Sequence, residues 1–147
     1  MLFPTPQNIC AVVNMTAPLL DVLIIGGGPG GLSVASGLAR QIYTAVVFDN
    51  GVYRNARATH MHNFAGWDHQ PPADFRAKAK QDLLNNYKTI QFEQATVQQV
   101  RKTDAGQFEA FDDKGRSWLG RKLVLANGAS DIFPAIPGYE ECWGYGM

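Results

Sequence analysis

Gly26, Gly27, Gly28, Pro29, Gly30 and Gly31 directly follow the apolar run Val22-Leu23-Ile24-Ile25. Glycine loses more conformational freedom on ordering than any other residue, so such a run ends a strand and forces a turn of bare backbone. Residues 21–25 read as a short, fully buried parallel strand. Leu32, Ala35, Leu38 and Ala39 then recur at helical spacing, which predicts a helix over 30–40. Residues 45–49, ending in Asp49, form a second apolar strand, and a right-handed crossover is the arrangement that packs the helix on both.

Gly26, Gly28 and Gly31 fit the pattern G-x-G-x-x-G. In that pattern the first glycine permits the tight turn, the second lets a pyrophosphate approach the backbone, and the third lets helix and strand pack closely. The helix N-terminus adds unpaired N–H groups and a partial positive charge. Asp49 follows the motif at about the 20-residue spacing of a ribose-binding acid. A carboxylate there accepts from both ribose hydroxyls and repels a 2′-phosphate, so FAD or NAD is expected rather than NADP.

The rest of the chain narrows the class. Thirteen basic and 13 acidic residues cancel to a net charge of zero, which removes the electrostatic footprint of a nucleic-acid partner. No segment approaches the roughly 20 apolar residues of a membrane span. Residues 1–19 read as a flexible leader with Met15 as an alternative start, since prolines and asparagines break the continuous apolar stretch a signal peptide needs. Cys10 and Cys142 form neither a CxxC nor a zinc spacing, and a reducing, cytoplasmic location is expected.

A long loop at 50–72 precedes a helix opened by Pro72, with Phe75, Ala79, Leu83 and Tyr87 as its apolar stripe. Residues 90–93 suit a third parallel strand. Short segments at 96–101, 107–111 and 117–119, separated by Asp-Ala-Gly and Asp-Lys-Gly turns, predict an antiparallel meander. Residues 122–126 read as a further buried strand. Arg54 suits either a phosphate or a solvated loop position. His60, His62 and His69 lack a cysteine or carboxylate to complete a tetrahedral set, so no metal site is expected. No residue arrangement suggests a catalytic acid, base or nucleophile. Trp67, Trp118 and Trp143 are expected to pack.

This order of parts resembles the FAD half of the thioredoxin reductase family. The stretches from Asp49 to Asn55, from His60 to Asn63 and from Ile136 to Gly146 are most similar to the fungal thioredoxin-reductase-like flavoproteins, including the dithiol oxidases of secondary-metabolite clusters. The resemblance implies an α/β, Rossmann-like, FAD-binding βαβ domain of three layers with an antiparallel meander, here its N-terminal portion only. Residues 20–134 would form that domain, and 135–147 a truncated linker toward an NADPH domain.

By the same resemblance Gly26 to Gly31, with Gly27, Pro29 and Gly30 among them, would hold the FAD pyrophosphate and Asp49 the adenosine ribose. Asn50, Gly51, Val52, Tyr53 and Arg54 would line the nucleotide, His62 would approach the flavin, and Val97 and Ala126 would complete the pocket. The implied activity is FAD-dependent electron exchange with a small-molecule dithiol or disulfide. The chain departs from the family at Asn127, commonly Thr, and in having no CxxC. The alternatives are a non-catalytic FAD-binding fragment or interaction module, associating as a homodimer or with a partner that supplies the missing half, and a plain NAD-binding dehydrogenase. The meander argues against the last, because such a fold continues with β–α units.

Overall fold

A computed structural model describes residues 18–143; the leader up to residue 17, with Met15 and Cys10, and residues 144–147 of the expected linker lie outside the described residues. Six strands, β1 (Leu20–Ile25), β2 (Ala45–Phe48), β3 (Ile90–Glu93), β4 (Val97–Lys102), β5 (Phe108–Asp112) and β6 (Ser117–Leu125), form one sheet in the order β3-β2-β1-β6-β5-β4. The pairs β3–β2, β2–β1 and β1–β6 are parallel, and β6–β5 and β5–β4 antiparallel. Helices α1 (Pro29–Arg40) and α2 (Pro72–Asn86) supply the crossovers, and α3 (Tyr139–Cys142) is a single turn.

Alternation along β1 and β2 explains the layers. Val22, Ile24, Ala45 and Val47 point toward Leu32, Ala35 and Ala39 of α1 and toward Phe75 and Leu83 of α2. Leu23, Val46 and Phe48 point the other way and pack on Ala110, Phe108 and Trp118 of the meander. Phe48 meets the Trp118 ring edge-on, with centroids 5.0 Å apart. Strands covered on both faces read as unbroken apolar runs, as these do. Full burial of each such side chain stabilises the fold by about 1.5–3 kcal/mol.

The two segments expected at 117–119 and 122–126 are one strand. The first half of β6 pairs with β5 and the second with β1, and Gly120 pairs with both Phe108 and Leu20. A Cβ at Gly120 would come within 2.6 Å of the Leu23 side chain, so the missing side chain lets the meander fold across β1. The buried character expected of 122–126 also needs correction: Leu125 is 67% exposed and Lys122 exposed. Pairing with β1 satisfies the backbone of that half, but no described residue covers Leu125. At the opposite end of the parallel strands, Asp21 ties three of them together. It accepts hydrogen bonds from the Thr44 N–H and hydroxyl at 2.9 and 2.8 Å and from Arg121 at 2.8 Å.

Candidate functional site

The glycine turn sits where β1 gives way to α1, pinned on both sides. Gly26 donates to the Phe48 carbonyl at 2.9 Å, and Ala126 donates to the Ile25 carbonyl at 2.8 Å. Each glycine then has a separate geometric reason. Gly26 has φ +118°, and a Cβ there would lie 2.2 Å from the Ala126 carbonyl oxygen. A Cβ on Gly27 would lie 2.3 Å from the Asp49 carboxyl carbon, and one on Gly31 only 1.9 Å from the Gly26 carbonyl oxygen. Gly28 is different: nothing lies within 4 Å of the position its Cβ would take. That open side faces a cavity of about 810 Å³.

Gly28 is also the N-cap of α1 and offers no capping side chain, while Pro29 occupies the first helical turn. The first-turn N–H groups of an α-helix have no intrahelical acceptors, and they carry the positive end of the helix dipole. An anionic group is therefore favoured at this end of the cavity.

Of the residues singled out from the sequence, Gly26, Gly27, Gly28, Pro29, Gly30, Asn50, Val52, Tyr53, Arg54, Val97 and Ala126 line the cavity. Gly31 lies behind them, buried against Gly26. Asp49 borders a neighbouring cleft of about 210 Å³ that it shares with Gly27, Tyr53, Arg76 and Lys80. Gly51 acts through Asp49, donating its N–H to Oδ1 at 3.0 Å. Oδ2 of Asp49 accepts the Tyr53 hydroxyl at 2.7 Å. Burial, then that hydrogen bond, pushes the Tyr53 hydroxyl up to about 12, so it remains a donor. Arg76 lies over the Tyr53 ring at 4.0 Å and donates to Asn55 Oδ1 at 2.8 Å, holding the ring in place. His62 is not among the lining residues: it is exposed on the long loop, 3.4 Å from Asp68.

Arg54 pairs with Asp131 through Nε and Nη2 at 2.9–3.1 Å, across 77 positions of sequence. The same contact holds the Asp131 carboxyl below its ordinary range. Arg57 pairs with Glu140 and lies over the Phe133 ring at 5.3 Å. These contacts bring the segment after β6 to the cavity rim, where Asn127, Asp131, Phe133 and Trp143 join the lining. Sequence reasoning did not find Asp131 or Phe133, because nothing local marks a residue whose partner lies in another loop. Of the tryptophans, Trp118 and Trp67 pack on Phe48 and Phe75.

Comparison with known proteins places the chain in one family. The signature of the family described as pyridine nucleotide-disulphide oxidoreductase matches residues 20–146. A thioredoxin reductase of Aspergillus oryzae is 49% identical over 130 residues, covering 88% of this chain and 41% of the relative. One of Claviceps purpurea is 48% identical, with 88% and 40% covered. Among solved structures, an oxidoreductase from Agrobacterium tumefaciens superposes with a TM-score of 0.80 at 36% identity, over 87% of this chain and 43% of that one. A thioredoxin reductase from Gloeobacter violaceus gives 0.65 at 27% identity, over 85% and 42%. The chain thus spans about two fifths of the length of the relatives it matches.

Proposed function

Since the chain belongs to the pyridine nucleotide-disulphide oxidoreductase family, on its thioredoxin reductase-like side, we propose that its cavity holds FAD for electron exchange with a small dithiol or disulfide. Gly28 carries this reading: it is the glycine of the turn whose missing side chain makes room for nothing inside the protein. It opens instead onto a cavity at a helix N-terminus. The residues fit the cofactor, because the bare turn suits a pyrophosphate and the adjacent Asp49 suits a ribose.

In this reading Gly26 to Gly31 cradle the pyrophosphate, and Asp49, fixed by Gly51 and Tyr53, accepts from the ribose. Asn50, Val52, Tyr53, Arg54, Val97 and Ala126 border the nucleotide. FAD held there would supply two-electron redox chemistry. The resemblance to fungal dithiol oxidases supports a small-molecule dithiol of secondary metabolism as substrate. The cysteine usage supports the cytoplasm as the place of action, and the assembly we propose is a homodimer or a complex with a second polypeptide. Among the described residues no helix is long and apolar enough to cross a membrane.

The test is equilibrium dialysis of the purified chain against FAD, followed by a visible absorption spectrum. Stoichiometric flavin is expected in the wild type. Gly28→Val should keep the far-ultraviolet circular dichroism of the fold and lose the flavin. Equal flavin in both proteins would overturn the assignment, and retention of NAD in place of FAD would favour the dehydrogenase reading.

A further inference from the structure

Three imidazoles, at His60, His62 and His69, lie on the loop between the 3-10 turn Arg54–Arg57 and α2, and the fold sorts them. The loop closes on itself at an isolated bridge between Met61 and Gln70, with Met61 donating to the Gln70 carbonyl at 2.8 Å and His69 to the Met61 carbonyl at 2.9 Å. Met61, Phe64 and Trp67 face inward onto Phe75 and the helix-side core. His62 and Asp68, each one position beyond an anchored residue, face outward. His69 reaches the same spot through a left-handed backbone at φ 60°.

The outcome is a carboxylate between two imidazoles. Asp68 Oδ1 lies 3.4 Å from His62 Nδ1, and Asp68 Oδ2 lies 3.5 Å from His69 Nε2. One ligand atom from each residue can be chosen so that all lie within 4.8 Å of one another. A tetrahedral ion with ligand bonds near 2.0–2.2 Å holds neighbouring donor atoms roughly 3.3–3.6 Å apart. The two contacts, each to a different carboxylate oxygen, are of that size. A set with one atom from each residue needs only rotation of these exposed side chains to close from within 4.8 Å. Outside this set of donors, the Asn63 N–H donates to Asp68 Oδ1 at 3.2 Å and orients the carboxylate. Outer contacts of this kind commonly fix ligand direction.

We propose that His62, Asp68 and His69 form a binding site for a single divalent transition ion, with zinc the best fit. Two imidazoles and one carboxylate suit zinc and its first-row neighbours, whereas calcium and magnesium sites are built from oxygen ligands. This revises the expectation from sequence, in which the three histidines lacked a carboxylate. Asp68 supplies it, and His60 is the histidine left out. Its Nδ1 lies 3.0 Å from the Thr59 hydroxyl, and its ring centroid is 6.5 Å from that of His69. All three ligands are exposed, which leaves the remaining coordination positions to water or an incoming ligand. None of its residues lines the cavity, so metal binding can be measured on the flavin-free chain.

Titration of the flavin-free full chain with cobalt(II), followed by its d–d absorption and by competition with zinc, tests the site. One equivalent is expected in the wild type. Loss of an outer contact to a metal ligand already weakens binding by about 10–100-fold, so His62→Ala, His69→Ala and Asp68→Asn should each weaken it by at least that much. His60→Ala should bind as the wild type does. Equal binding by all variants would overturn the proposal. So would an equal loss in His60→Ala, or a thiolate-to-cobalt charge-transfer band that assigns the ion to a cysteine.

Discussion

The two walls of the cavity are built by opposite means. The glycine turn is shaped by what it omits: backbone from β1, β6 and α1 meets at distances that leave no volume for a Cβ at Gly26 or Gly31. The far rim is shaped by long charged side chains, Arg54 to Asp131 and Arg57 to Glu140, reaching between segments distant in sequence. Backbone contacts cannot yield, whereas exposed ion pairs can rearrange in water with little loss. Substitutions in the first wall should therefore damage the fold or the ligand, and those in the second should leave the fold intact.

Gly31→Ala should show the largest effect. Its Cβ would meet a backbone oxygen rather than a flexible side-chain tip, which places the cost at about 3 kcal/mol or more, the upper end for overpacking. Urea denaturation measures it, and a loss under about 1 kcal/mol would mean that the turn relaxes easily. The contrast within the same turn is Gly28→Val, expected to spare stability and remove flavin. Asp49→Ala comes next. Losing a charged acceptor for the ribose should weaken FAD binding by roughly 1.5–3 kcal/mol in a fluorescence titration, and an unchanged affinity would remove Asp49 from the site.

Acid should act more gently and across the whole molecule. Burial pushes the Asp112 carboxyl up, but hydrogen bonds from the Arg116 side chain and from the N–H groups of Arg116 and Lys114 outweigh it, so the group lies below its ordinary 3.8. The Thr44 backbone and hydroxyl hold Asp21 low, and Arg54 holds Asp131 low. A carboxyl lowered in the folded state contributes its full stability above the unfolded value and loses it as pH falls through the folded one. Stability should thus be flat on this account above pH 3.8 and decline below it, which thermal melts across acid buffers would show. Asp131→Asn should give the smallest effect, a melting temperature within the scatter of repeat measurements. A large drop would show that the rim, too, is structural.

Legibility from sequence divides along the same line. The glycine turn, Asp49, β3 and both long helices could be read because their reasons are local: spacing, apolar runs and helix-starting prolines. The continuity of β6 could not, because Gly120 and Arg121 look like a break unless one knows that Gly120 lies against Leu23. Asp131 at the rim was invisible, acquiring Arg54 only through folding, and Asp68, although next to His69 in the sequence, meets His62 only once the loop has closed. Tyr53 came from the resemblance, but its role in fixing the Asp49 carboxylate is visible only in the structure.

The single long β6 also has a consequence for how the chain comes into being. Arg121, next to the strand's pivot, contacts Asp21 across 100 positions. On a ribosome adding about 5–20 residues per second, β1 waits roughly 5–20 seconds after its own synthesis before this neighbour exists. For that interval Val22, Leu23, Ile24 and Ile25 have an open strand edge and no meander over them, which is a template for pairing with another nascent chain. Among the described strands, β6 is therefore the one that closes this aggregation window.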